Sequence, residues 1–268
     1  MGPSIATERV TSADGTSIAF DRFGAGRPVI VVGGQLCDRA MTRPLATRLG
    51  EQFDVINYDR RGKGDSGDTP LYAIEREIED LAALVAATGG TASIYGHSSG
   101  AALVLHAAAH GLALDRIVLH EPPYTPDDEA HRRAARDYAE RLAVVLFDGG
   151  HGDAIELCFQ TMGMDPEMID ELRGGPRWAA LEAMAPSLGH DSTVMGDTWG
   201  GTVPLGLIAA VTRPTLVLAG GAGPEWMIDT GSQIADAMPD GRFRVLEGQQ
   251  YVVAPDVLVP VLAEFFAR

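Results

Sequence analysis

A chain of 268 residues in which 46% of the side chains are hydrophobic can bury a full core, so one large domain, or one domain with a sizeable insertion, is expected. A formal charge of −16, with 37 acidic against 21 basic residues, argues against a polyphosphate partner, because a duplex-binding surface needs clustered Lys and Arg. Nucleic acid and anionic membrane are therefore not expected partners.

Taken in chain order, MGPSIATERV lacks a basic region followed by an apolar run, and no stretch of the chain reaches the roughly 20 apolar residues of a membrane span. A soluble, cytoplasmic protein is expected. Residues 16–23 read as one arm of a hairpin, and 28–32 is a continuous apolar run of the kind that forms a strand buried on both faces. Cys37 and Cys158 stand far apart without CxxC spacing, so neither a disulfide nor a metal site is indicated, and no cofactor is expected. Further short apolar runs follow at 53–58, 92–95, 117–119 and 215–218, separated by helical patterns such as IEREIEDLAALVAA and SGAALVLHAAAHG. That alternation predicts an α/β fold with a mostly parallel, doubly wound sheet. Between Pro122 and about Leu205 only helical periodicity is visible, in DDEAHRRAARDYAERLAVVLF, DAIELCFQTMG and RWAALEAMAPSL. The expected division is a core of 1–121 and 206–268 with a helical lid over 122–205.

The chemistry concentrates at IYGHSSGA. A GxSxG stretch directly after a short apolar strand and directly before an Ala-rich helix lets the chain turn sharply and raises the Ser98 hydroxyl above the sheet. The helix N-terminus at Ser99 aims free N–H groups at charge forming near Ser98. The bland alternative is a glycine-rich turn with an incidental serine.

In this order of motifs the chain resembles the α/β-hydrolase superfamily over nearly its whole length. GHSSG is similar to the family's nucleophile elbow, and VVGGQLCD to the loop that donates the second oxyanion-hole N–H, with Gln35 in the donor position, Gly34 beside it and Ser99 as the other donor. YDRRGKGDSGDT resembles the loop after the next strand, and PTLVLAGGAGPEW and RVLEGQQYVVAP the last two strands. The resemblance implies a helical lid inserted after the sixth strand, the one ending in HEPP.

The resemblance breaks at the base. Where the family places its catalytic histidine, in a stretch like EGQxH, this sequence has Glu247, Gly248, Gln249, Gln250 and Tyr251. A phenol with a pKa near ~10 accepts protons poorly at neutral pH, although it donates hydrogen bonds well. Losing the histidine of a serine triad costs on the order of 10⁶ in turnover. His97, His106, His110, His131, His151 and His190 read as packing or surface residues. His120, at the carboxyl edge of the neighbouring strand, is the candidate for a relocated base. The acid is Glu121 or Glu225. In the predicted lid, Trp178, Trp199, Met162, Met164, Met184 and Met195 are expected to line an apolar cavity for a bulky small molecule, with ordinary packing as the alternative. A homodimer is compatible with this composition.

Three functions follow. In the first, Tyr251 and Ser98 act as donors in non-hydrolytic, ring-forming or ring-opening chemistry of specialised metabolism, as a cyclase, lyase, isomerase or epoxide-opening enzyme. The second is hydrolysis of an ester, lactone or thioester through Ser98 with His120 as base. The third is ligand binding without catalysis.

Overall fold

The computed structural model describes residues 6–196 and 201–268. Eight strands form one sheet: β1 (Glu8–Thr11), β2 (Ser17–Gly24), β3 (Pro28–Val32), β4 (Asp54–Tyr58), β5 (Ala92–His97), β6 (Leu114–His120), β7 (Thr215–Gly220) and β8 (Gly241–Leu246). Their order is β1-β2-β4-β3-β5-β6-β7-β8. The β1–β2 hairpin joins β4 antiparallel, and every pair from β4 to β8 is parallel. The predicted α/β sheet is therefore present. Two strands have no counterpart among the apolar runs read from the sequence: β1 is two charged residues followed by two β-branched ones and is mostly exposed, and β8 is half exposed. Edge strands face water on one side and carry no continuous apolar run.

Helices cover both faces. α1 (Arg39–Leu49) and α11 (Pro255–Phe266) pack on one side, where Leu45, Leu49, Leu258, Leu262 and Phe266 meet Val29, Val31, Val55 and Val118. α2 (Ile74–Ala87), α3 (Ser99–Ala109), α9 (Leu205–Ala209) and α10 (Glu225–Asp236) pack on the other, against Ile30, Ile56, Ile94 and Leu119. The parallel strands all end at one edge. That edge carries Gly34 and Gln35 after β3, Arg60 and Lys63 after β4, Ser98 after β5, Glu121 after β6 and Tyr251 after β8.

Between β6 and α9 lie α4 (Glu129–Phe147), α5 (His151–Thr161), α6 (Pro166–Arg173), α7 (Trp178–Met184) and α8 (Ser187–Val194). The run RWAALEAMAPSL, read as one helix, is broken in two. Pro186 has no N–H to continue α7 and instead caps α8. These helices have an apolar core of their own, built from Tyr138, Leu142, Ile155, Cys158, Trp178, Leu181 and Leu188, into which Leu36 inserts from the β3–α1 loop. Trp178 and Met184, expected either to line a cavity or to pack, take the packing alternative, with Met184 also reaching a cleft described below. Both are buried in that helical core, because five short amphipathic helices can cover one another. Trp199 lies outside the described residues.

Candidate active site

Ser98 sits between β5 and α3 with φ 55° and ψ −127°, a conformation that costs a non-glycine residue of order 1–3 kcal/mol and persists only when its surroundings impose it. The surroundings are backbone. Ser98 N–H donates to His120 O at 2.9 Å, and Ser98 O accepts from Ala101 N–H at 2.8 Å. A Cβ on Gly96 would stand 2.6 Å from Gly100 O, and one on Gly100 would stand 2.5 Å from Val32 O, so only glycine lets strand, turn and helix approach this closely. The Ser98 side chain makes no capping bond to α3. Its hydroxyl is left to the site.

The Tyr251 side chain lies beside that hydroxyl, close enough for Ser98 to act on the phenol. Burial pushes the phenol above its usual range, against the lowering effect of the Ser98 hydroxyl. Tyr251 is therefore a neutral donor at any ordinary pH. Its backbone O accepts from His97 Nε2 at 3.1 Å, and its ring lies 4.8 Å from the His97 ring. Burial holds the His97 imidazole down at about 4, so His97 is neutral and fixes the Tyr251 peptide as a donor. The sequence reading set His97 aside as packing; nothing in its spacing reveals a partner 154 positions away.

His120 is brought to the same edge but not to the serine hydroxyl. Its Nδ1 pairs with Tyr95 Oη at 2.7 Å, and its Nε2 has no partner among the described residues. Burial and the neighbouring His97 hold its pKa well below the usual value. Strand alternation explains the placement: His120 shares the α1–α11 face with Tyr95 and Val118, beneath the turn that carries Ser98.

Glu121 is buried in a left-handed conformation with φ 49°, and its Oε1 accepts from Gly220 N–H at 2.7 Å. It acts electrostatically on the Tyr251 phenol. Glu225 starts α10 after β7 and is exposed, whereas Glu121 is buried, so of the two candidate acids only Glu121 acts on the Tyr251 phenol. Burial raises the Glu121 carboxyl from its ordinary 4.5 to about 7, with the Gly220 bond opposing. A carboxyl raised on folding favours the protonated folded state, so its contribution is complete below about pH 4.5 and is lost as pH rises through 7. Urea unfolding across pH should show wild type losing stability relative to Glu121→Gln over that window and running parallel to it above.

Gly34 passes close to Ser98: a Cβ there would lie 3.0 Å from Ser98 Cβ. Among the described residues, neither the Gln35 nor the Ser99 backbone N–H donates to another group. The Gln35 side chain accepts from Cys158 Sγ at 3.9 Å. Trp178 is not at the serine but in the helical core, under Arg173. Met162 is 51% exposed at the end of α5, and Met195 packs in the sheet core with Val194. Neither is brought to the site. A cleft of about 540 Å³ between α1, the β4–α2 loop and α7 is lined by Asp38, Arg43, Asp65 and Met184, and by none of Ser98, Tyr251 or Glu121.

What the sequence reading missed is a buried ion network one layer beneath. Arg60 donates to both Glu77 oxygens at 2.7 and 2.6 Å, to Asp191 at 2.5 Å and to Ser99 Oγ at 3.1 Å. Lys63 donates to Asp191 at 2.9 Å and to Gly34 O at 2.9 Å. Burial lowers the Lys63 pKa, whereas Lys63 and Arg60 outweigh burial at Asp191 and hold that carboxyl at about 2. DRRGKG holds three basic residues between Asp59 and Asp65, and nothing in the sequence tells that Arg60 and Lys63 pair with Glu77 and Asp191.

The profile of the alpha/beta hydrolase family matches residues 29–257. This chain belongs to the α/β-hydrolase family. An α/β hydrolase from Sphaerobacter thermophilus is 48% identical, with a TM-score of 0.87, over 97% of this chain and 100% of the other. A thermophilic esterase from Thermogutta terrifontis is 26% identical, with a TM-score of 0.71, over 98% of each chain. N-formylmaleamate deformylase of Pseudomonas putida is 36% identical over 117 residues, 42% of this chain and 44% of the deformylase. The chain thus spans less than half the length of that curated relative. No described helix of this α/β hydrolase is long and apolar enough to cross a membrane.

Proposed function

We propose that this protein is an α/β-hydrolase-fold enzyme in which Ser98 and Tyr251 act as hydrogen-bond and proton donors to a substrate oxygen, and not as a nucleophile and its base. The observation that carries this reading is the place of Tyr251 beside Ser98, its backbone O held by His97 at 3.1 Å and its phenol raised in pKa by burial. A serine is activated by a group that can take its proton, and a neutral phenol, unlike an imidazole, has no basic atom to receive it. It can donate a hydrogen bond. A carbonyl, lactone or epoxide oxygen placed among Ser98 Oγ, Tyr251 Oη and the N–H groups of Gln35 and Ser99 would meet four donors, which stabilise a developing oxyanion or enolate. Isomerisation, elimination or ring opening of a small molecule fits such a site, with Glu121, at about 7, close enough in pKa to exchange a proton at neutral pH.

Hydrolysis is the second reading, favoured by relatives named as a deformylase and an esterase. It requires a base that His120, turned to Tyr95, does not supply from its present position. A fluorophosphonate separates the two. Intact-mass analysis after prolonged exposure should find Ser98 unmodified, and stoichiometric labelling at the rate of an ordinary serine esterase would overturn the donor reading.

A further inference from the structure

Asp191 belongs to α8, in the inserted helices, yet both of its oxygens are committed at the sheet edge. Oδ2 accepts from Lys63 at 2.9 Å, and Oδ1 accepts from Ser99 Oγ at 2.7 Å and from Arg60 at 2.5 Å. Lys63 spends a second hydrogen on Gly34 O at 2.9 Å. Of the two residues so held, Gly34 precedes the unclaimed Gln35 N–H and Ser99 carries the other.

The Gly34–Gln35 peptide is trans, so its C=O and N–H point to opposite sides. An ammonium that pins the Gly34 carbonyl therefore also sets the direction of the Gln35 N–H. It does more than aim it. A charged donor on the carbonyl polarises the peptide and strengthens the N–H as a donor. A second hold comes from the next residue. Leu36 adopts φ 46°, unfavourable for a residue with a Cβ, and its side chain is buried among Tyr138, Leu142, Trp178 and Leu181. The inserted helices thus grip the β3–α1 loop twice, by charge through Asp191 and by packing through Leu36.

We infer that Asp191 and Lys63 are positioning residues for the oxyanion hole, so that the hole is complete only while α8 is docked on the sheet edge. This rests on the donor site proposed above. Every charge in the network is balanced, since Arg60 and Lys63 face Glu77 and Asp191, and none is left to neutralise a substrate anion. The network's task is geometry, and the anion is met by neutral N–H groups.

The test uses p-nitrophenolate, whose absorption band moves to shorter wavelength as its oxygen accepts hydrogen bonds. It is titrated into wild type, Ser99→Ala and the charge-balanced pair Lys63→Met with Asp191→Asn. Wild type should bind it with a band shift. The double variant, which leaves Arg60–Glu77 intact, should bind on the order of 10-fold to 100-fold more weakly and lose the shift, as loss of an oxyanion donor does. Ser99→Ala removes a single hydroxyl from a helix start and keeps Lys63, so it should fold and show a smaller loss of the same kind. Equal affinity and equal shift in all three proteins would overturn the positioning roles while leaving the donor reading intact. Weaker binding with the full shift retained would overturn them too, because lost packing lowers affinity without changing the hydrogen bonds. No binding by wild type would remove the donor reading itself.

Discussion

Tyr251→His should make Ser98 reactive, raising its fluorophosphonate labelling by about 10³-fold or more over wild type, with ester hydrolysis appearing alongside. The magnitude follows from the histidine's share in serine triads: removing it costs on the order of 10⁶ in turnover, and an imidazole placed without further refinement recovers part of that. The remaining parts are in position. Ser98 is held in its raised conformation by backbone, Tyr251 lies beside its hydroxyl, and Glu121 lies on the same edge with its carboxyl fixed by Gly220 N–H. Ionised above about pH 7, Glu121 can orient an imidazole and stabilise its protonated form. The gained activity should accordingly rise with pH through that value. Tyr251→Phe is the control. It keeps the ring against His97 and removes only the hydroxyl, so unfolding should shift by about 1 kcal/mol and Ser98 should stay unlabelled. Labelling of wild type as fast as of Tyr251→His would show that another base already serves Ser98.

How much of this was legible in the sequence depends on the range of the interaction. Buried parallel strands such as PVIVV and DVINY announce themselves because both faces must be apolar, and the elbow because close backbone approach admits only glycine at 96 and 100. The substitution at Tyr251 was readable because its neighbours Glu247 to Gln250 keep the family's order. Contacts between distant segments were not. Whether His120 faces Ser98 or Tyr95 is decided by one step of strand alternation, and the strand's end cannot be fixed that finely from a short apolar run. Lys63 and Asp191, 128 positions apart, meet only because α8 folds back over the β4–α2 loop. Charge in DRRGKG reads as solvent-facing by default, since Arg and Lys are almost never fully buried unless paired. Here they are paired, and Arg60, Arg61 and Lys63 are each about 1% exposed.

That pairing should make Arg60 one of the most sensitive positions for folding. Arg60→Met leaves Glu77 with the Tyr72 hydroxyl as its remaining side-chain donor, and leaves Asp191 with Lys63 and Ser99. A buried carboxylate stripped of its cation costs about 3–5 kcal/mol, far more than the net worth of the intact pair, because desolvation of the survivor is no longer offset. For a chain of this size each kcal/mol lowers Tm by roughly 2 °C, so the loss is readable both by urea unfolding and by melting. Adding Glu77→Leu should restore most of it, since the second substitution removes the stranded charge and replaces it with apolar volume between α2 and the sheet. The residual cost belongs to Asp191, which then relies on Lys63 alone for charge. Acid acts in the same direction. Burial favours the neutral carboxyls, but Arg60 at Glu77, and Lys63 with Arg60 at Asp191, hold both below their ordinary values, Asp191 at about 2. A depressed carboxyl contributes stability above its unfolded pKa and loses it as pH falls through the folded one, so wild type should shed this term between about pH 4 and pH 2. The Arg60→Met/Glu77→Leu protein should shed less over that range. Equal acid sensitivity of the two proteins, or a double variant no more stable than Arg60→Met, would mean that the network contributes packing and not charge to the docking of α8 on the sheet.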